Sequence, residues 1–150
     1  MRKTMNGFTI VELLIVIVVI AILASISVVA YNGIQSRARD ADRMNDLNVM
    51  KKGLALFHAE NGYYPARPEF FDANFRRNSL NIPDSAVNPP GTNNTIGYCW
   101  SGGPNQYCYV PTPPSGGSFD CGTSGERCIG YRISYHLESA PTTQRVMSSN

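Results

Sequence analysis

Residues 7–24 read GFTIVELLIVIVVIAILA, from Gly7 to Ala24, and the rest of the chain takes its sense from them. Glu12 is the one ionisable side chain in the stretch. A carboxylate at the head of a membrane-length apolar run is costly in lipid and marks a functional position. Eighteen residues follow, Leu13 to Ala30, in which only Ser25 and Ser27 are polar. That is about the length that spans a bilayer. The serines are tolerated because a hydroxyl can bond a carbonyl one turn back. Arg2 and Lys3 precede the run, so the N-terminus is expected to stay cytoplasmic and the remainder to face outward.

Two plainer readings compete. An ordinary signal peptide has a basic start, an apolar stretch of about 7–15 residues and a small-residue cleavage site. Val28-Val29-Ala30 offers such a site, which would leave a small secreted, disulfide-bonded binding module starting near Tyr31. The apolar run exceeds that length, and Glu12 would stand in it without purpose. A plain membrane anchor lets Glu12 reach the interface but leaves Gly7-Phe8-Thr9 unexplained.

The pattern Gly7-Phe8-Thr9-x-x-Glu12 closely resembles the N-terminus of type IV pilins and of type II secretion pseudopilins. The resemblance implies a leader of residues 1–7, cleaved by a prepilin peptidase after Gly7, and a mature chain starting at a methylated Phe8. It implies that Glu12, the fifth mature residue, faces the Phe8 amine of a neighbouring subunit. Two charges in lipid are costly unless paired, so such pairing sets register more than it adds raw stability. The subunit would wait in the cytoplasmic membrane, dissolved in lipid, with its head outside. An assembly ATPase and a platform protein would then draw it into a helical filament of identical or related subunits. That filament is either a surface pilus or an extracytoplasmic pseudopilus. The implied role is structural, with no enzymatic activity. Many members carry proline at the position of Val29, so their kink is not implied here. Gly33 loosens the helix instead, at a cost of about 1 kcal/mol relative to Ala.

The helical pattern continues beyond the apolar run. Ile34, Ala38, Ala41, Met44, Leu47, Met50, Leu54 and Phe57 recur at steps of three or four residues, one face of a helix. Arg37, Arg39, Asp40, Asp42, Arg43, Asp46 and Lys52 fall largely off that stripe and read as a solvated face, or as ion-pairing groups between subunits. Asn61-Gly62 supplies a stop, and Pro65 follows. The helix is therefore expected from Phe8 to about Asn61, with residues 8–31 as the membrane half and 32–62 as the amphipathic half. The stretch Leu54 to Pro65, LALFHAENGYYP, is similar to the helix-end turn of the major pseudopilin. Its tyrosines are expected to pack the chain back on the head, with His58 on the helix surface.

Residues 63–150 are expected to form a small head, completing an α+β fold in which a long N-terminal helix packs on an antiparallel sheet (the pilin fold). Loops are read at Asn88-Pro89-Pro90-Gly91 and from Pro111 to Gly117. Thr95 to Trp100 and Gln106 to Val110 suggest a hairpin, and Ile129 to Leu137 alternates with the period of a half-buried strand. The tail from Ser139 reads as frayed. So small a head buries little core alone. Cys99, Cys108, Cys121 and Cys128 are therefore read as two disulfides, with three pairings open, in an oxidising compartment.

Charge and motifs restrict the function. Thirteen basic and eleven acidic side chains give +2, and loss of Arg2 and Lys3 with the leader brings that to zero. A nucleic-acid partner needs a basic face. Tyr98, Trp100, Tyr107 and Tyr109 have no basic residue interleaved between Thr95 and Val110, so core packing is expected over the stacking of a DNA-uptake pilin. No nucleophile elbow, phosphate loop or HExxH pattern is present. No cofactor is expected. Calcium is the one ion left open: the resemblance implies a C-terminal calcium loop in major pseudopilins, and Asp120 and Glu126 lie in such a region, without the spacing of a known calcium loop.

Overall fold

The computed structural model describes residues 9–92, 96–97, 106–114 and 121–149, with backbone alone at 28–30, 32 and 141–146. Helix α1 spans Ile10–Asn61. The chain divides into two compact units, Met1–Ser36 and Arg37–Asn150.

In the first unit every side chain from Ile10 to Ser27 is exposed, and the segment is long and apolar enough to cross a membrane. Ser25 donates to the carbonyl of Ile22 at 2.7 Å and Ser27 to that of Leu23 at 2.8 Å. The hydroxyls are thus satisfied within the helix, as apolar surroundings require.

In the second unit α1 ends as expected, at Asn61. Gly62 takes φ +78°, a left-handed conformation that glycine adopts without strain, and its N–H donates to the His58 carbonyl at 2.8 Å. Two short helices follow, α2 (Arg67–Phe71) and α3 (Ala73–Ser79), then a 3-10 turn over Asp84–Val87. Helices α2 and α3 were not expected, being too short to show a period. Their signals are local: Pro68 in the first turn of α2, and Asp72 capping α3 by accepting from the Phe75 N–H at 2.7 Å. After α3 the chain crosses α1 at Gly53, where a Cβ would lie 2.4 Å from the Leu80 carbonyl oxygen. No side chain fits there.

Strands β1 (Cys108–Thr112), β2 (Gly130–Leu137) and β3 (Ala140–Ser148) form an antiparallel sheet in the order β1-β2-β3. Strand β2 follows its expected alternation only in part: Ile129 precedes the strand and is 61% exposed, and Ser134, expected on the outer face, is buried. Tyr131, Ile133 and Tyr135 are buried in the core, while Arg132 is exposed. Strand β3 corrects the frayed tail: Ala140–Ser148 pairs with β2, and the register shifts at His136/Leu137. Its sequence, APTTQRVMS, carries no clean alternation, and backbone pairing to the edge of β2 holds it. The expected hairpin is corrected where it is described: its second arm enters β1, which pairs with β2, and Gly97 of the first arm forms an isolated parallel bridge with Cys108, while residues 98–105 lie outside the described residues.

The core joins Leu47, Met50, Leu54 and Phe57 of α1 to Phe70 of α2 and to the inward residues of β1 and β2. Tyr107 and Tyr109 lie in it, as expected; Tyr98 and Trp100 lie outside the described residues. The Tyr109 ring stacks on Phe70 with centroids 3.9 Å apart, and its hydroxyl donates to the Pro65 carbonyl at 2.8 Å. A buried Tyr keeps such a partner for its one polar atom.

The apolar stripe of α1 holds only from Leu47 onward. Ile34 and Met44 are 65% and 38% exposed, and Ala38 and Ala41 are exposed. The inward positions nearer the N-terminus belong to Asp40 and Arg43, the latter 1% exposed. The solvated-face reading is thus corrected for Arg39, Asp40, Arg43 and Asp46, which are half-buried or buried; Arg37, Asp42 and Lys52 are exposed as expected. Partners from distant sequence make the difference, as the next section describes.

Candidate functional site

At the start of α1, Thr9 and Glu12 form a reciprocal cap. The Thr9 N–H and hydroxyl donate to Glu12 Oε2 at 2.8 and 2.7 Å, and the Glu12 N–H donates to Thr9 Oγ1 at 3.2 Å. An N-terminal helix end leaves four N–H groups unpaired, and a carboxylate three residues in satisfies one while favouring the positive end of the helix dipole. The signal, Thr-x-x-Glu before an apolar run, stands in the sequence at Thr9-Ile10-Val11-Glu12 and was missed there. Gly7 and Phe8 lie outside the described residues. Glu12 is therefore the only acidic group in the exposed apolar segment Ile10–Ser27, and it sits in its first turn.

The second unit carries a cluster of charges. Glu138 accepts from Arg39 Nε at 2.9 and 3.0 Å, from Arg39 Nη2 at 2.7 Å and from Arg43 Nη2 at 2.7 Å. Arg43 Nη1 also donates to Asp40 at 3.0 Å. Asp40 in turn accepts the Glu138 and Ser139 N–H groups at 2.7 and 3.0 Å. Burial alone would push the Asp40 carboxyl up, but the hydrogen bonds from Ser139, the Glu138 N–H and Arg43 outweigh it and hold it below the usual range. The Arg39 hydrogen bond does the same for Glu138 against its burial. Asp46 shifts the other way: burial raises it, despite the hydrogen bond that Tyr107 donates at 3.0 Å. Sequence spacing alone could not find Glu138, which lies 95 residues from Arg43.

The helix-end motif works as its aromatic content suggests. Tyr63 packs edge-on to Phe57, with Arg127 over its ring at 5.4 Å. Tyr64 stacks on His58 at 4.4 Å and bridges Cys128 in antiparallel fashion. His58 is thus a half-buried stacking partner. Cys128 is bonded to Cys121, closing a loop that the Arg67 N–H and the Glu69 carboxylate also hold. Of the other cysteines, Cys108 is buried in β1 and Cys99 lies outside the described residues. Glu126 accepts from the Thr123 N–H at 3.4 Å, and Asp120 lies outside the described residues. Among the described residues no group of three or more His, Cys, Asp or Glu converges.

The family model of the prokaryotic N-terminal methylation motif matches residues 2–28. Fimbrial protein EcpC of Eikenella corrodens is 28% identical over 96 residues, covering 64% of this chain and 63% of that protein. Type II secretion system core protein G of Aeromonas hydrophila is 28% identical over 88 residues, 59% of this chain and 58% of that one. The Klebsiella michiganensis core protein G is 29% identical over 72 residues, 48% of this chain and 51% of that one. The chain thus spans less than two thirds of the length of these relatives. No solved structure matches. The architecture, a long N-terminal apolar helix followed by short helices and a three-stranded antiparallel sheet among the described residues, is α+β and consistent with the pilin fold. This chain matches the prokaryotic N-terminal methylation motif at its N-terminal end and is similar, over part of its length, to a fimbrial protein and to type II secretion system core G proteins.

Proposed function

We propose that the chain is a structural subunit of a type IV pilus or type II secretion pseudopilus, built into a helical filament after cleavage behind Gly7. The observation that carries this reading is the wholly exposed apolar helix Ile10–Ser27, with Glu12 in its first turn, beneath a methylation motif. So much uncovered apolar surface demands a partner: lipid before assembly, and the same segment of other subunits afterwards. Cleavage frees the Phe8 amine for methylation. The Glu12 carboxylate of one subunit then neutralises that amine on the next, a pairing that an uncleaved chain cannot make. Thr9 holds the Glu12 carboxylate at the helix start until that exchange. Prepilin peptidase, an assembly ATPase and a platform protein are the partners this route needs. The finished filament lies on the surface or in the extracytoplasmic space.

The test joins intact mass and N-terminal sequence with a Glu12→Ala variant. A start at Phe8 is expected in both forms, methylated in the unaltered chain, with filaments in the sheared surface fraction or the envelope only from the unaltered chain. Normal filaments from Glu12→Ala overturn the role of Glu12. A start near Tyr31 overturns the filament reading as a whole.

A further inference from the structure

The end of α1 places a side-chain amide beside the backbone nitrogen best able to attack it. Asn61 is the last residue of the helix, and Gly62 follows it. A glycine has no side chain to screen its nitrogen or restrict its backbone. In an Asn-Gly pair that nitrogen can therefore close on the asparagine carboxamide wherever the chain is free to bend. Both residues are exposed, so water reaches them.

The fold ties up both reacting groups. Asn61 keeps helical backbone, and its Nδ2 donates to the Phe57 carbonyl at 2.9 Å. The Gly62 N–H donates to the His58 carbonyl at 2.8 Å, with Gly62 at φ +78°. Attack needs the Gly62 nitrogen to give up the proton that His58 holds. It also needs the carboxamide to leave Phe57 and turn toward that nitrogen. The next residues close the assembly. Tyr63 packs on Phe57 with centroids 5.5 Å apart, Tyr64 stacks on His58, and the Tyr64 N–H donates to the Cys128 carbonyl at 2.8 Å.

We propose that Asn61 is a deamidation site gated by the closed end of α1, silent while the two hydrogen bonds stand and converted when that end opens. In the open chain the Gly62 nitrogen bonds to Asn61 Cγ, the Cγ–Nδ2 bond breaks, and Nδ2 leaves as ammonia with the Gly62 proton. Water then opens the resulting cyclic succinimide at either carbonyl, its hydroxyl going to carbon and its proton to nitrogen. The product is an aspartate or an isoaspartyl link with an extra methylene in the backbone. Neither refits the helix end. A carboxylate cannot donate to the Phe57 carbonyl, and it sets negative charge at the negative end of the helix dipole. The extra methylene displaces Tyr63 and Tyr64 from Phe57 and His58. Each conversion thus records an opening and hinders reclosure.

Peptide mapping by mass spectrometry checks it, on the full chain in detergent micelles and on the same chain in concentrated urea, both at mildly alkaline pH. The readout is loss of the Asn61 amide and the appearance of isoaspartate at that position. The chain in urea should convert steadily, and the folded chain at least about tenfold more slowly, because its reaction waits on an opening. After removal of urea, converted copies should show faster hydrogen exchange over residues 58–64 than unconverted ones. Equal conversion in micelles and urea overturns the gate, and no conversion at Asn61 in urea overturns the site. Converted copies that regain the full protection of unconverted ones overturn the claim that the product hinders reclosure.

Discussion

Helix α1 contains two kinds of helix under one set of backbone hydrogen bonds. From Ile10 to Ser27 every side chain is exposed, all but Glu12 and the two serines are apolar, and the serines bond their own backbone. From Arg37 to Asn61 the helix has an inside and an outside, and its inside begins with Asp40 and Arg43 before turning apolar at Leu47. The difference lies in where partners come from. Among the described residues the first half makes no side-chain contact beyond the Thr9–Glu12 cap and the serines' bonds to their own backbone, and in the proposed route lipid or other copies of the segment cover it. The second half receives its partners from a turn almost a hundred residues away, and with them it can bury a guanidinium.

The largest test of that contrast is Arg43→Ala. Removing one partner from a buried ion cluster leaves uncompensated charge and is expected to cost about 3–5 kcal/mol. Urea unfolding of the head, followed by circular dichroism, measures it. A loss near that of an exposed pair, about 0–1 kcal/mol, would return these charges to the solvated face that their spacing suggests.

The first half is probed by Ile20→Lys, which sits near the middle of Ile10–Ser27. A lysine at the centre of a spanning helix costs about 2.5–3.5 kcal/mol of insertion. Most of the variant is expected to be lost from carbonate-washed membranes, with the head still folded. Unchanged retention in those membranes would mean that Ile20 does not lie at the centre of a lipid-spanning helix. Such a lysine belongs to a region that tolerates polar groups only where the chain supplies a partner, as it does for Glu12.

What was legible beforehand follows the range of the interactions. Helix end, apolar run, β2 and the aromatic turn at Tyr63-Tyr64 all rest on neighbours in sequence, and their patterns state them directly. The Thr9–Glu12 cap is equally local, written as Thr-x-x-Glu ahead of an apolar run. Strand β3 and the Arg39–Asp40–Arg43–Glu138 cluster were not legible. A strand held by an edge needs no alternation, and a charged residue looks solvated until its distant partner is found. Helices α2 and α3 fall between: too short for a period, yet announced by Pro68 and Asp72.

The same cluster sets the smallest expected effect, a dependence of head stability on pH with two opposed parts. The carboxyls of Asp40 and Glu138 are held below their ordinary values in the folded chain. Their contribution is present above the ordinary carboxylate range and is lost as pH falls through the lowered folded values, beneath about pH 4. Asp46 is raised, so the folded chain holds its proton more tightly. That contribution is complete below the ordinary value and fades as pH rises through the raised one. Stability measured by denaturation from pH 7 downward should therefore rise slightly through the window of Asp46 and then fall once Asp40 and Glu138 begin to take protons. Asp46→Asn should remove the rise and keep the fall, and Glu138→Gln should reduce the fall and keep the rise. A curve in which both variants change the same limb would mean that Asp46 titrates as part of the ion cluster through Arg43, and the two halves of the inward face would then have to be treated as one electrostatic unit.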